Sequence, residues 1–253
     1  MIILIIESFN SIKGIGKYNN DIFKIFDDAC YVMDGASAIF NDNLFFKTSD
    51  LYEYMQLLKL NINNVDNINT NISNGIKKSN NSINNIKDYK EHELPTFTIS
   101  AIKENKDYYE LYLLCDCMIS ILYKNGKIEN FEDHRFDLIK SKCRSEIANL
   151  DKKDLNKDAK LDAKRKIWRK YRKLANNYKS GYPVGSTNPC SINHGLIKKI
   201  DKKIVDKILL CSDGLYSMLG MPTDKNYFDK TILEKEITKH KNIDDLTYIL
   251  INN

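Results

Sequence analysis

The chain of 253 residues is poor in glycine and proline, with ten and four residues respectively, and it has no long uninterrupted apolar run. This low content excludes collagen-like and proline-rich low-complexity architectures. No stretch approaches the roughly 18 apolar residues that a membrane-spanning helix needs. The apolar run at residues 1–6 lacks a basic leader and ends at Glu7, so it predicts a first strand and not a signal peptide.

The six cysteines form no C-x-x-C pair and show no spacing typical of a zinc site. Most of them lie in apolar runs, where a buried and reduced thiol is expected. The four histidines show no metal-site spacing, and neither a G-x-S-x-G nor an H-E-x-x-H motif is present. The missing motifs argue against zinc and serine-hydrolase chemistry. The reduced thiols, with no predicted signal peptide or membrane span, favour a cytoplasmic protein.

Hydrophobic residues make up 42% of the chain and charged residues 29%, which is typical of a globular protein with a sizeable core. The length allows one large domain or two small ones. The formal net charge of +5 is too small to indicate a nucleic-acid binder by itself.

The order of strand-like and helix-like segments predicts an α+β protein with helices layered on an antiparallel sheet. The predicted strands cover residues 1–8, 22–26, 29–33, 97–103, 108–115, 118–123, 127–131, 196–200, 207–212 and 247–251. A helix is predicted after Thr48 or Ser49 as the N-cap, and another over 229–240. Residues 61–90 place Ile or Val every three or four positions, which predicts a helix broken near Gly75; a solvated Asn-rich loop is the alternative.

Residues 151–176 differ in character and predict one long basic helix, because apolar residues recur every three or four positions. Its centre, residues 164–173, interleaves aromatic and cationic side chains. Three interpretations are open: a solvated amphipathic helix, an element that docks a substrate or its phosphate, and a nucleic-acid surface. Acidic neighbours dilute the positive field, so a nucleic-acid surface is the weakest of the three.

Two Asp-Gly pairs follow apolar strands in the same way: Asp34-Gly35 comes after residues 29–33, and Asp213-Gly214 after residues 207–212. A carboxylate at a strand end is held rigidly by the sheet, and the glycine lets backbone approach a ligand closely. Either pair taken alone is most simply a turn. Two such carboxylates brought together form an oxygen-rich site that suits Mg²⁺ or Mn²⁺.

Further carboxylates stand at predicted strand ends. Asp244-Asp245 comes just before the last strand, and Asp21 comes just before the second strand. Several ionised carboxylates that lie close together repel one another unless a cation neutralises their charge. The combination therefore predicts a cation site at one sheet edge.

With these motifs in this order, the chain resembles the metal-dependent PP2C-type (PPM) Ser/Thr protein phosphatases, specifically their compact bacterial branch. The correspondence runs over nearly the whole chain. Residues 14–21 are similar to the family's "G…NED" segment, 31–37 to "V-x-D-G-A-T/S", 94–101 followed by 108–118 to "PSATL…GDSR", 208–215 to "LLASDGL" and 244–247 to "DN-x-T/S".

The resemblance implies an αββα sandwich of two antiparallel sheets flanked by helices. It implies a single domain over residues 1–253, with a basic helical insertion at about 151–180. The implied activity is hydrolysis of phosphoserine and phosphothreonine monoesters in proteins, with a water activated by two Mn²⁺ or Mg²⁺ ions. The implied partner is a phosphoprotein substrate, with no membrane or nucleic acid, and the protein is expected to be a cytoplasmic monomer.

The resemblance also implies roles for individual residues. Asp34 would bridge the two metals, and the Gly35 carbonyl would ligate one of them. Asp213 and Asp244 would complete the other, and Asp21 would hold a water at the metals. The implied catalytic residues are therefore Asp21 and Asp34. A third, weaker metal would use Asp116.

The sequence departs from the family pattern at three places. Asn20 stands where the family usually has Glu, and Gly16 stands where a phosphate-binding Arg is expected, which leaves Lys17 as the candidate phosphate-binding residue. Cys115-Asp116-Cys117-Met118 replaces Gly-Asp-Ser-Arg. These departures keep a second interpretation open: a PPM-fold binding or regulatory module with weak or no catalytic activity.

Overall fold

Two antiparallel β-sheets stack face to face, and helices cover both outer surfaces, which confirms the predicted αββα class. The computed structural model describes residues 3–36, 39–40, 42–177, 179–240 and 244–253. Met1 and Ile2 of the predicted first strand, Ser37 of the 31–37 motif and Tyr178 of the predicted insertion lie outside these residues.

The described residues form eleven strands and six α-helices. The strands are β1 (Ile5–Ile12), β2 (Ile22–Ile25), β3 (Ala29–Gly35), β4 (Thr96–Glu104), β5 (Tyr108–Leu114), β6 (Met118–Tyr123), β7 (Ile128–Phe131), β8 (Gly185–Ser186), β9 (Leu196–Asp201), β10 (Val205–Cys211) and β11 (Leu246–Asn252). The helices are α1 (Asp50–Asn61), α2 (Ile68–Asn81), α3 (Asp137–Asp151), α4 (Lys157–Arg172), α5 (Asp213–Leu219) and α6 (Lys230–Lys239).

One sheet has five strands in the order β1-β11-β10-β6-β7, and the other has the order β2-β3-β4-β5-β9 with β8 paired beside β4. The predicted first strand is displaced along the chain, since β1 covers Ile5–Ile12 and not residues 1–8. Pairing explains the difference: Ile5 lies opposite Asn252 and Ile12 opposite Leu246, so β11 sets the extent of β1. The polar residues late in β1 carry no strand signal of their own.

The alternation of side chains along a strand builds the layers, because successive residues point to opposite faces of a sheet. In β3, Tyr31 and Met33 pack against α1 and α2, whereas Cys30 and Val32 pack against the second sheet. β10 alternates in the same way between the inter-sheet core and the layer formed by α5 and α6. In the described part of the chain, no helix is long and apolar enough to cross a membrane.

The helices over the first sheet follow the sequence prediction with one change. Ser49 caps α1, and its hydroxyl accepts a hydrogen bond from the Tyr52 N–H at 3.2 Å. Residues 68–81 form α2, so the helical interpretation is confirmed over this part and the loop alternative is wrong there. Gly75 does not break α2; a Cβ at Gly75 would lie 2.7 Å from Cγ1 of Ile62, so the glycine allows close packing between helices.

The basic segment forms a shorter helix than predicted. The prediction of one helix over 151–176 is wrong, because α4 begins at Lys157 and is preceded by the separate helix α3. Asn156 ends the intervening turn: its side chain accepts a hydrogen bond from the Ala159 N–H at 2.8 Å and caps α4. Whether these helices form an insertion in a single domain stays a prediction.

Replacing Gly214 with alanine tests the close packing of α5 on the segment before β11. The added Cβ would lie 2.0 Å from the Asp245 carbonyl oxygen, a backbone atom that cannot rotate away. Overpacking of this kind costs about 1–3 kcal/mol or more. We expect Gly214→Ala to lower the free energy of unfolding in urea by at least about 1 kcal/mol.

Gly16→Ala is the matched control, since the nearest atom to its Cβ would be the Tyr18 carbonyl oxygen at 3.4 Å. Equal stability of the two variants would contradict the close contact at Gly214.

Candidate functional site

Antiparallel register brings several chain segments to one end of the sandwich. In one sheet, Ile22 at the start of β2 pairs with Met33 near the end of β3. In the other, Cys211 at the end of β10 pairs with Met118 at the start of β6 and with Tyr248 near the start of β11. The loops before β2 and β11, the end of β3, the β5–β6 turn and the start of α5 therefore lie together.

These segments carry aspartates that surround a cavity of about 190 Å³. The lining aspartates are Asp34, Asp116, Asp213, Asp244 and Asp245. Gly35 and Asn20 line the same cavity. The structure thus brings together most of the residues that the sequence motifs singled out.

The aspartates perturb one another strongly. Burial raises the pKa of Asp34 well above its ordinary value, and the charges of four surrounding aspartates raise it further: Asp21, Asp213, Asp116 and Asp244. Burial also raises the pKa of Asp21 to about 7 and that of Asp213 to about 6, with neighbouring carboxylates adding to both. A bound cation would offset the electrostatic repulsion between the carboxylates of this cluster.

Asp21 gives the clearest sign that the site needs a cation. Its side chain is only 4% exposed, and neither carboxylate oxygen has a well-formed hydrogen bond among the described residues, although the nearby hydroxyls of Ser212 and Thr247 lower its pKa. Its backbone is fixed, since the Asp21 N–H donates to Asn19 Oδ1 at 3.0 Å. A buried carboxylate without well-formed hydrogen bonds costs several kcal/mol unless it binds a proton or faces a cation.

One ammonium group already lies among these carboxylates, and the sequence motifs did not indicate it. Lys140 on α3 donates to Asp116 Oδ2 at 2.9 Å, and its Nζ lies 3.6 Å from Asp213 Oδ2. Burial lowers the pKa of Lys140, but the attraction of Asp116 and Asp213 outweighs burial and raises it above its ordinary value. Lys140 is therefore a cation internal to the site.

The donor set fits a hard divalent cation, because carboxylate and backbone carbonyl oxygens are the ligands that Mg²⁺ and Mn²⁺ prefer. The buried, unpartnered oxygens of Asp21 and the charge around Asp34 support the same fit. Across the described ranges, no three Asp, Glu, His or Cys side chains already stand in the arrangement of a metal site. Lys140 pairs with two of these carboxylates, Asp116 and Asp213.

Asp245 holds the backbone of a neighbouring loop. The sequence alone did not distinguish this role from that of Asp244. Asp245 Oδ1 accepts a hydrogen bond from the Gly14 N–H at 2.9 Å, and Oδ2 accepts one from the Asn20 N–H at 2.7 Å. The loop that carries Asp21 is thereby tied to the segment before β11. Within the described residues Asp244 makes no such tie, and its Oδ1 accepts from the Asp245 N–H at 2.9 Å.

The β5–β6 turn places Cys115 in a backbone conformation that side chains seldom adopt. Cys115 has a φ of 64°, in the left-handed region that favours glycine. Asp133, which sequence reasoning missed, stabilises the turn by accepting the Cys115 N–H at 3.0 Å and pairing with both Nε and Nη2 of Arg135. Burial raises the pKa of the Cys115 and Cys117 thiols, so both are protonated at neutral pH and are poor nucleophiles.

The candidate phosphate-binding residue Lys17 lies apart from the aspartates. Its side chain is exposed, and Nζ lies 5.0 Å from the centroid of the Tyr18 ring. Lys17 is not one of the described residues that line the cavity. Its role stays a prediction.

Arg172, at the end of α4, lines the cavity and was not singled out by the motifs. Its Nη1 donates to Thr96 Oγ1 at 2.8 Å. Phe136 and Tyr182 form an aromatic wall of the same cavity, with ring centroids 4.4 Å apart. The sequence signal for Arg172 was the basic segment 164–173, one interpretation of which was an element that docks a substrate or its phosphate.

Solved structures share this architecture over nearly their full length. They include the catalytic domain of the Ser/Thr protein phosphatase PstP in complex with two manganese ions, with a TM-score of 0.59, 13% identity and 98% of each chain covered. Stp1 from Staphylococcus aureus has a TM-score of 0.58 at 12% identity, covering 100% of this chain and 96% of that chain. The PPM phosphatase MsPP from Mycobacterium smegmatis, in complex with cacodylate, has a TM-score of 0.58 at 11% identity and 98% coverage of each.

The fold is thus a two-sheet αββα sandwich with an acidic cavity at one end. It is the fold of the PPM Ser/Thr phosphatases, which confirms the resemblance seen in the motifs at the level of structure. No protein-family model and no curated protein sequence matches the chain.

The raised pKa values predict how the stability of the metal-free protein depends on pH. In the folded state the pKa is about 7 for Asp21 and about 6 for Asp213, against an ordinary value of 3.8. Between these values the folded state binds more protons than the unfolded state, so its stability falls as pH rises. We expect the free energy of unfolding, measured in urea with a chelator present, to fall between pH 4.5 and 7.5.

Asp21→Asn is the matched variant, because asparagine cannot ionise. The free energy of unfolding of the natural protein, minus that of Asp21→Asn, should fall by more than about 1.4 kcal/mol between pH 4.5 and 7.5. This amount corresponds to a pKa shift of one unit for one group. A difference that is constant or rises with pH would contradict the raised pKa of Asp21.

Proposed function

We propose that the protein is a metal-dependent phosphatase that hydrolyses phosphoserine and phosphothreonine in proteins. The observation that carries this proposal is the cluster of aspartates around Asp34, at the strand ends of a sandwich with the PPM fold. A solved structure with this fold contains two manganese ions, which supports a divalent metal requirement. The free thiols of all six cysteines support our proposal that the protein acts in the cytoplasm, and we retain the prediction of a monomer.

The proposed ligands divide between two cations. Asp34, central among the carboxylates, would contact both Mn²⁺ or Mg²⁺ ions, with the Gly35 carbonyl at one and Asp213 and Asp244 at the other. When bound, these cations supply the positive charge that acidifies water and neutralises phosphoryl oxygens. No cysteine nucleophile is required.

Two further aspartates, Asp21 and Asp245, would complete the site without binding a cation directly. The Asp21 carboxylate, buried and without well-formed hydrogen bonds among the described residues, would accept a hydrogen bond or a proton from water in the cavity. Asp245 holds the backbone on both sides of that loop, through Gly14 and Asn20. Asp245 is thus a positioning residue, since it acts through the loop that carries Asp21.

A second candidate function is a binding or regulatory module with the same fold and little turnover. The pairing of Lys140 with Asp116 and Asp213 favours it, because that ammonium already neutralises part of the acidic cluster. Asn20 supports it as well, because an amide oxygen lacks the charge of a glutamate. The number of bound metal ions separates the two candidates.

Hydrolysis of p-nitrophenyl phosphate and of a phosphothreonine peptide, with Mn²⁺ and with EDTA, tests the proposed activity. We expect turnover that needs Mn²⁺ and that falls more than about 100-fold in Asp34→Asn, since loss of a shared ligand disrupts both cations. Asp107→Asn, in the exposed turn between β4 and β5, should keep full activity. Turnover no higher than that of Asp34→Asn, with fewer than two bound ions in a calorimetric titration, would instead support the binding module.

A third cation at Asp116 would compete with Lys140 for the same carboxylate. We therefore expect Lys140→Met to tighten Mn²⁺ binding at the weakest site by about tenfold, the effect of removing roughly 1.4 kcal/mol of competition. Electron paramagnetic resonance of free Mn²⁺ measures the binding directly, without reference to turnover. Lys142→Met on the exposed side of α3 is the control, and identical isotherms for the two variants would contradict the competition.

A further inference from the structure

An acidic cavity that binds cations still has to hold the phosphate dianion of its substrate. Five aspartates line this cavity, whereas Arg172 is the basic side chain among its described lining residues. A guanidinium presents N–H donors in a planar fork that matches two phosphate oxygens, which a lysine ammonium cannot do. Arg172 therefore has both the position and the chemistry for a phosphate.

The surroundings of Arg172 fix where its side chain lies. Its neighbour Tyr171 is buried with Ile139, Tyr182 and Val184, which anchors the end of α4 on the domain. Arg172 Nη1 donates to Thr96 Oγ1 at 2.8 Å. The Thr96 carbonyl in turn accepts the Ala36 N–H at 2.9 Å, only two residues along the chain from Asp34. This chain of contacts holds the guanidinium beside the end of β3.

The other basic side chains near the site have partners that hold them elsewhere. Lys140 pairs with two aspartates, and Arg135 makes a bidentate pair with Asp133. Arg169, one turn before Arg172, donates to the Ile39 carbonyl at 3.0 Å. Lys17 is exposed and lies over the Tyr18 ring.

We propose that Arg172 binds the phosphate group of the substrate. In residues 14–21, where the family resemblance places a phosphate-binding arginine, only Lys17 offers a positive charge. The inference rests on the proposed phosphatase function. Phe136 and Tyr182, which line the same cavity, would contact the apolar part of the phosphorylated residue. The helical segment between β7 and β8 thus supplies substrate binding, while the sheet ends supply the metal ligands.

The test measures equilibrium binding of inorganic phosphate to the Mn²⁺-loaded protein by calorimetry, alongside KM and kcat for a phosphothreonine peptide. We expect Arg172→Gln to weaken phosphate binding and to raise KM by at least about tenfold, with Arg172→Lys between this and the natural protein. Mn²⁺ affinity should be unchanged. Arg165→Gln, on the exposed face of α4 and paired with Asp162, should behave like the natural protein.

Thr96→Val distinguishes binding from a purely structural role, because it removes the hydrogen bond to Arg172 but keeps the guanidinium itself on the anchored end of α4. It should retain phosphate binding even if its melting temperature falls as much as that of Arg172→Gln. Equal losses of phosphate affinity in both variants, or no loss in Arg172→Gln, would overturn the role of Arg172. Phosphate binding that depends on Arg172 without any turnover would support this role and overturn the proposed phosphatase instead.

Discussion

Repulsion among carboxylates held at one end of a rigid sandwich is the constraint on which the rest of the structure depends. Asp34 comes from a strand buried between two layers, Asp213 starts a helix at a strand end, and Asp21 is buried without well-formed hydrogen bonds among the described residues. Left to themselves, such groups would separate or bind protons. The apolar layers on both sides of each sheet prevent the separation, because moving a strand end would disturb both cores.

The backbone around the cavity is built to resist the same repulsion. Asp245 accepts hydrogen bonds from two N–H groups of the loop that carries Asp21, which joins the two ends of the chain. Gly214 lets the start of α5 approach the Asp245 carbonyl more closely than any side chain would allow. Asp133 holds the turn at Asp116 although Cys115 has an unfavourable φ. Hydrogen bonds and close contacts to the backbone therefore hold together the segments that carry the aspartates, although the carboxylates repel one another.

Most of the fold and part of the site could be predicted from sequence, because both depend on local patterns. The strand that ends in Asp34-Gly35 and the one before Asp213 are apolar runs with clear ends, and the Asp-Gly pairs mark their position. Lys140, Asp133 and Arg172 could not be found in this way, since each contacts a residue at least 18 positions away, and only the tertiary structure defines that contact. The break before α4 was missed because a single Asn cap outweighs the apolar spacing around it.

The basic side chains of α3 and α4 fall into two groups, according to what they contact. Several of its cations pair outward with acidic neighbours, among them Lys164 with Asp151 and Lys170 with Glu146, and these pairs lie near the surface. Such pairs add little to stability and leave little free positive field for a nucleic acid. Lys140 and Arg172, by contrast, point the positive charge of α3 and α4 at the aspartate cavity. The cations of α3 and α4 thus complement the carboxylates of the sheet ends, which is the arrangement of charge that the proposed binding of a metal ion and a phosphate requires.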